Sequence, residues 1–186
     1  MDIGISCYNL KLNLSKWLKD YWTLHIAVII YVIVFGIAVL VRHYSFESSA
    51  WDLGIFSQAC YSTLNGELFY YTAELYANPG GSLFGAHFSP ILFAILPFYA
   101  PSPTPETLLL TQTVGLAFGA YPVFFLAKEI LSRKLAFYFS LFYLLNPLLH
   151  SINIFDFHPD AFFVPLALLS LYFFVKERWG LYLMFM

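Results

Sequence analysis

A short segment in the last third of the chain places two carboxylates and an imidazole at alternate positions. Asp156, His158 and Asp160 are separated by Phe157 and Pro159. Because a proline disfavours the helical conformation in the residue before it, we expect an extended segment in which alternate side chains share a face. Carboxylates and an imidazole that converge can bind a divalent cation or exchange protons as acid and base. The spacing therefore predicts a metal site or an acid–base site.

Each of these side chains also has a structural explanation that must be weighed. Asp160 precedes an apolar run and would suit the N-cap of a helix. His158 is open to either explanation, whereas the nearby His150 fits an interfacial histidine better than a ligand. Asp156 is the hardest to explain structurally, because a carboxylate beside hydrocarbon is costly without a partner.

A further candidate, Asp52, lies in the first third of the chain. Ser49 and Asp52 have the spacing of a helix capping box, and the apolar residues after them recur at helical spacing as far as Leu64. Asn65-Gly66 would end this helix, whose amphipathic pattern is typical of a helix in the membrane interface. Asp52 is therefore either the acid of a capping box or a catalytic carboxylate at the membrane surface.

The elements that must position these residues are membrane helices. Charged residues make up 11% of the chain and the mean hydropathy is +0.72, which excludes a soluble domain. A hydrocarbon core of about 30 Å takes about 20 apolar residues to cross as a helix. Four stretches without Asp, Glu, Lys or Arg approach that length, namely residues 21–41, 107–127, 135–155 and 161–175. The sequence thus predicts an all-α, polytopic integral membrane protein with four transmembrane helices and a long first external loop that contains interfacial helices.

The remaining segments complete the predicted organisation. Residues 1–20 are interpreted as a cytoplasmic amphipathic lead-in and residues 21–178 as the membrane domain. The apolar run 88–100 contains Pro90 and Pro97, and is either re-entrant or a short fifth span. Residues 179–186 begin a further apolar helix that is too short to cross, so we expect a truncated product.

Sidedness follows from the basic residues, which stay on the cytoplasmic side close to span ends. We expect a multi-pass chain in the cell membrane. If the three basic clusters lie on the cytoplasmic side, the N-terminus is also cytoplasmic, and Arg42 is the one Lys or Arg left on the external side. Cys7 and Cys60 then lie on opposite sides and cannot pair. The clusters are Lys11/Lys16/Lys19, Lys128/Arg133/Lys134 and Lys176/Arg178, and the external candidates are Asp52, His87, Asp156, His158 and Asp160.

Three motifs taken together resemble a known family. They are Trp51-Asp52-Leu53-Gly54-Ile55-Phe56-Ser57-Gln58-Ala59, His87-Phe88-Ser89-Pro90-Ile91-Leu92 and Asp156-Phe157-His158-Pro159-Asp160-Ala161. With them the chain resembles, over roughly residues 45–178, the bacterial and archaeal membrane proteins grouped as domain of unknown function 2079. In wider outline, the order of its features resembles the N-terminal half of GT-C glycosyltransferases, which transfer sugars from lipid-phosphate donors at the extracytoplasmic face.

The resemblance to glycosyltransferases implies roles for individual residues. Asp52 would be the base that activates an acceptor hydroxyl, or a metal ligand. Asp156 and His158 would act with it in catalysis, as ligands of a divalent metal or contacts of the donor phosphate. Substrate-binding roles would fall to His87, Asp160 and Gln58. The implied partners are the lipid bilayer and a polyprenyl-phosphate sugar, with no nucleic acid.

Two other function classes compete with this enzyme. A transporter component keeps ionisable groups inside its spans, facing a pathway. Here the predicted spans contain two imidazoles, His25 and His150, each toward a span end, which argues against transport. A non-catalytic membrane protein is the main alternative, and a transporter component is the less favoured one.

Overall fold

The computed structural model describes residues 21–186, and the predicted lead-in at 1–20, with Cys7, lies outside them. Within that range the chain is helical and forms no strand beyond one antiparallel bridge between Tyr70 and Ser82. A π-helical turn (Ala50–Gly54) precedes the helix that begins at Ile55, and a 3-10 turn (Pro159–Phe162) precedes the helix that begins at Phe163. The helices are α1 (Trp22–Tyr44), α2 (Ile55–Leu64), α3 (Leu83–Ala86), α4 (Ile91–Tyr99), α5 (Pro105–Phe118), α6 (Ala120–Lys128), α7 (Arg133–Leu144), α8 (Pro147–Ile154), α9 (Phe163–Val175) and α10 (Trp179–Phe185).

Two to three of these helices could cross a bilayer. Helix α1 is long and apolar enough, and so is the continuous segment Pro105–Ile130 that contains α5 and α6. The pair α7 and α8 is a third candidate if it counts as one bent span, while Pro159–Val175 is a shorter apolar helix. The all-helical membrane class is therefore confirmed, but residues 21–186 contain fewer candidate spans than the four or five that the sequence predicts.

The span predicted at residues 135–155 is not straight. Helices α7 and α8 meet at an angle of 43°. Pro147 has no N–H to donate to the preceding turn, and the Asn146 side chain accepts a bond from the Leu148 N–H at 2.9 Å, which starts a new helix. The absence of charge predicts an apolar segment correctly, but Asn146-Pro147 divides it.

The run 88–100 forms only the nine-residue helix α4. At 1.5 Å per residue it is about 14 Å long, well short of the hydrocarbon thickness. Leu92, Ile95 and Tyr99 are buried in one core cluster with residues of α2 and α5. Helix α4 therefore packs against α2 and α5.

Side-chain contacts show which helix ends lie together. Arg42 near the end of α1 pairs with Asp156, and the Tyr44 hydroxyl donates to Glu106 at the start of α5. At the opposite end, Lys128 donates to the Tyr21 hydroxyl and Lys176 pairs with Glu129. We call these the acidic end and the basic end of the molecule.

Charge is segregated between the two ends. Of the charged side chains in residues 21–186, the acidic end has seven carboxylates and Arg42, whereas the basic end has five cations and two carboxylates. Which end faces the cytoplasm remains a prediction. The acidic-end carboxylates are Glu47, Asp52, Glu67, Glu74, Glu106, Asp156 and Asp160.

Candidate functional site

Asp52 and His158, which are far apart in sequence, meet at the acidic end. Asp52 Oδ1 lies 3.2 Å from His158 Nε2, and both side chains are partly exposed. The other ring nitrogen, Nδ1, lies 3.3 Å from the Asp156 carbonyl oxygen. Both atoms facing the imidazole are acceptors, so a ring with one proton can donate to one of them and an imidazolium can donate to both. The pair can therefore serve in acid–base chemistry.

These two residues form part of a polar cavity of about 430 Å³. Its wall brings together one segment from each of the three sequence motifs. His87 and Asp160, both exposed, line it as predicted, and so does Glu74, which the sequence did not single out. The titratable lining thus consists of three carboxylates and two imidazoles, without a lysine or arginine from the described part of the chain.

Asp52 reaches His158 because it is not used as a helix cap. The Ser49 N–H, which a capping box would direct to Asp52, donates instead to Asp156 Oδ2 at 2.6 Å. Ser49 Oγ accepts from the Trp51 N–H at 3.1 Å, and the first turn is π-helical. The capping-box explanation of Asp52 is therefore wrong, although the helix that it predicted is present.

Asp156 lies outside this cavity wall and is fixed by other groups. Its side chain is 1% exposed, and Oδ1 accepts from Arg42 at 2.7 Å while Oδ2 accepts from Ser49. Arg42 also donates to the Glu47 carbonyl oxygen at 2.6 Å. The partner that a carboxylate beside hydrocarbon requires is thus Arg42, and the pair fastens the end of α1 to the segment that carries His158.

The predicted set of metal ligands is not assembled. Asp52 and His158 meet, but the Asp156 carboxylate is turned to Arg42 and Ser49. Between residues 21 and 186, no group of three or more His, Cys, Asp or Glu side chains is arranged to hold a metal ion. The arrangement of these residues therefore does not fit the divalent ion that the sequence suggested.

Family assignment rests on the same stretch of chain. Residues 42–186 match the model of a family described as Predicted membrane protein (DUF2079). The chain belongs to this family. No curated protein and no solved structure matches it. The match begins at Arg42 and contains all three motifs, so the family resemblance is confirmed, whereas the likeness to GT-C enzymes remains a prediction.

Gln112 is a component of this candidate site that sequence reasoning missed. It lies on α5, is buried, and contacts the segment 152–158 with both ends of its amide. Nε2 donates to the carbonyl oxygens of Ile152 at 3.2 Å and Asp156 at 3.4 Å, and Oε1 accepts from the His158 N–H at 2.8 Å. A polar amide inside a charge-free run was the available signal, because such a group needs partners in a membrane.

Gln58 is not in the cavity wall. Its Oε1 accepts from the N–H and the hydroxyl of Thr72, at 3.1 and 3.2 Å, so it ties α2 to the loop that follows. That loop carries Glu74, which accepts from the Tyr71 hydroxyl at 2.5 Å. Burial raises the pKa of Tyr71, and the Glu74 carboxylate adds to the shift, so the tyrosine remains a neutral donor. Gln58 therefore stabilises the loop after α2 and does not line the cavity.

His150 and Asp160 each had a structural explanation in the sequence. His150 Nε2 contacts the Leu144 carbonyl oxygen at 2.6 Å, and its ring lies 4.4 Å from that of Phe35, as suits a packed histidine. Asp160 lies in the first turn after the N-cap residue His158, and its side chain makes no capping bond within the described residues. Its position in the cavity wall is therefore not explained by capping.

Proposed function

We propose that this DUF2079 protein carries a GT-C-like glycosyl-transfer site at its acidic end, facing the extracytoplasmic side and using a lipid-phosphate-linked sugar as donor. The observation that carries the proposal is the contact between Asp52 and His158 in a polar cavity at the end of the membrane helices. A donor embedded in the bilayer by its lipid would present its sugar at this depth. The position of the Asp52–His158 pair thus suits sugar transfer at a membrane surface.

Asp52 is assigned the role of general base. Its Oδ1 faces His158, while Oδ2 has no hydrogen-bond partner among residues 21–186 and is open to an acceptor hydroxyl. Oδ2 takes the hydroxyl proton as the acceptor oxygen attacks the anomeric carbon of the donor sugar. The bond from that carbon to the phosphate oxygen breaks, and its electron pair leaves with the lipid phosphate. His158 orients the carboxylate through its Nε2.

The negative charge of the cavity favours binding of the sugar acceptor there and disfavours binding of the donor phosphate. Asp52, Glu74 and Asp160 can accept hydrogen bonds from the hydroxyls of a neutral sugar, but they repel an anion. Arg42, the one Lys or Arg that residues 21–186 place at this end, is already bound to Asp156 and to the Glu47 carbonyl oxygen. Trp51 lines the same cavity and offers an aromatic face to the apolar side of a sugar ring. The acceptor is therefore a neutral sugar or polyol.

A transfer assay with two matched variants tests this proposal. Membranes that contain the full chain are supplied with a panel of radiolabelled polyprenyl-phosphate hexoses, and label in the acceptor fraction is counted. Asp52→Asn should lower transfer at least about 100-fold, the usual contribution of a general base. Glu67→Gln should leave it unchanged, because Glu67 is an exposed acidic-end carboxylate outside the cavity wall.

Two outcomes would contradict the proposal. Transfer that persists in Asp52→Asn would remove the base from the mechanism. A wild-type chain that transfers no sugar from any donor in the panel would favour the non-catalytic alternative.

A further inference from the structure

Two cations lie over one aromatic ring at the basic end, and a third lines the cavity beside it. Lys128 Nζ and the Arg133 guanidinium carbon each lie 5.1 Å from the centre of the Tyr21 ring. Lys128 also donates to the Tyr21 hydroxyl at 2.9 Å. Arg133 and Lys134, which begin α7, line a cavity of about 370 Å³ beside that ring. The turn between α6 and α7 thus gathers positive charge at a defined place.

The charge in this cavity is not neutralised by the described chain. Among residues 21–186, Arg133 and Lys134 have no ion-pair partner, and no carboxylate lines the cavity. Glu129, the acid in the same turn, is bound to Lys176 at 2.6 Å. A guanidinium that lies over an aromatic ring still has N–H groups at its edge, which can bind the oxygens of a phosphate.

An apolar groove continues from this cavity along the helices. It has a volume of about 490 Å³, lies between α1 and α7, and shares Thr23 and Phe137 with the cationic cavity. On α1 its lining runs from Trp22 to Phe35, a rise of about 20 Å. One leaflet of hydrocarbon is about 15 Å thick, half of the bilayer core. The groove is therefore long enough for an acyl chain.

We propose that the cationic cavity and this groove together bind one anionic phospholipid. The phosphate of the headgroup lies against Arg133 and Lys134, and an acyl chain lies between α1 and α7. Cationic cavities between membrane helices suit anionic headgroups, and here the chemistry changes from charged to apolar in the same order as in the lipid. The site lies at the opposite end of the molecule from Asp52 and does not depend on the transfer reaction.

Lipid binding by the purified full chain provides the test. Phosphatidylglycerol and phosphatidylcholine are titrated in neutral detergent, and bound lipid is counted by native mass spectrometry. The wild-type chain should prefer phosphatidylglycerol. Lys134→Gln should weaken that binding about five-fold, the contribution of one cation near a headgroup. Arg178→Gln removes one charge from the same end but outside the cavity, and should leave the affinity unchanged.

Two further measurements separate a lipid from a free phosphate. Ile30→Trp, which fills the groove without altering charge, should weaken phosphatidylglycerol binding. Inorganic phosphate, added as competitor, should displace little lipid. Equal losses of phosphatidylglycerol affinity in Lys134→Gln and Arg178→Gln would show a general effect of positive charge rather than a specific site, and would overturn the proposal. Full competition by inorganic phosphate, or unchanged binding in Ile30→Trp, would overturn the assignment to a lipid.

Discussion

The two ends of the molecule hold their charges in different ways. At the acidic end, Arg42 and Asp156 form an ion pair whose side chains are 22% and 1% exposed, and backbone groups of neighbouring loops complete it. At the basic end, Lys176 and Glu129 pair at 2.6 Å with 38% and 37% exposed side chains. A buried pair fixes geometry because either charge alone is costly, whereas an exposed pair remains solvated. The acidic end is thus built to position side chains, and the basic end presents charge to its surroundings.

The largest effect is expected from breaking the buried pair. Arg42→Met leaves the Asp156 charge without its partner and should lower the free energy of unfolding by about 3 kcal/mol. Lys176→Met, the matched change at the basic end, should shift the melting temperature far less. Melting of both variants in one detergent measures the difference. Equal shifts would remove the distinction between the two ends.

The next effect concerns the support of His158. Gln112→Leu leaves the His158 N–H and the Asp156 carbonyl without their amide partner and should cost about 1–3 kcal/mol. Thr111→Val, on the same helix, removes only a bond to Thr107 in the preceding turn and should cost less. In the transfer assay, Gln112→Leu should lower the rate while Thr111→Val retains it. A Gln112→Leu variant with native stability and rate would show that the amide does not position His158.

A smaller effect tests the packing of α5 against the 3-10 turn Pro159–Phe162. A Cβ at Gly115 would meet the ring of Phe162, so Gly115→Ala must displace that ring and should cost about 1 kcal/mol. Gly180 has nothing within 4 Å of the corresponding point, and Gly180→Ala should be neutral or slightly stabilising. Thermal melts of the two variants give the comparison. A destabilised Gly180→Ala with an unaffected Gly115→Ala would contradict the packing.

The smallest expected effect is an absence of reaction. Cys60 on α2 is buried, and burial raises the pKa of its thiol to about 12. In a Cys7→Ser background, a maleimide at pH 8 should therefore label Cys60 slowly in the folded protein and rapidly after denaturation. Fast labelling of the folded chain would show that the packing around Cys60 opens readily.

The sequence predicts the class and the charge distribution because both follow from local patterns. Runs without charge identify apolar helices, and the basic clusters identify one end. The break at Asn146-Pro147 was readable in the same way, since both residues have strong preferences at helix starts. Helix count was harder to predict, because hydropathy measures apolar length and not continuity.

Pairing within the site could not be predicted from local patterns. The sequence offered both Asp52 and Asp156 as catalytic candidates, and the structure separates them because Arg42 and Ser49 contact Asp156. Ser49 could equally have been capped by Asp52, as its spacing suggests. Contacts between distant segments decide between such equivalent local choices, and those contacts are what the structure adds.

The proposed function depends on the acidic end facing away from the cytoplasm, and cysteine labelling in intact cells tests this most directly. Tyr76 lies in the first loop and Ile130 in the turn after α6, and both side chains are highly exposed. In a Cys7→Ser, Cys60→Ala background, a membrane-impermeant maleimide should label Tyr76→Cys in intact cells, and Ile130→Cys only after permeabilisation. Labelling of Ile130→Cys but not Tyr76→Cys in intact cells would contradict the account.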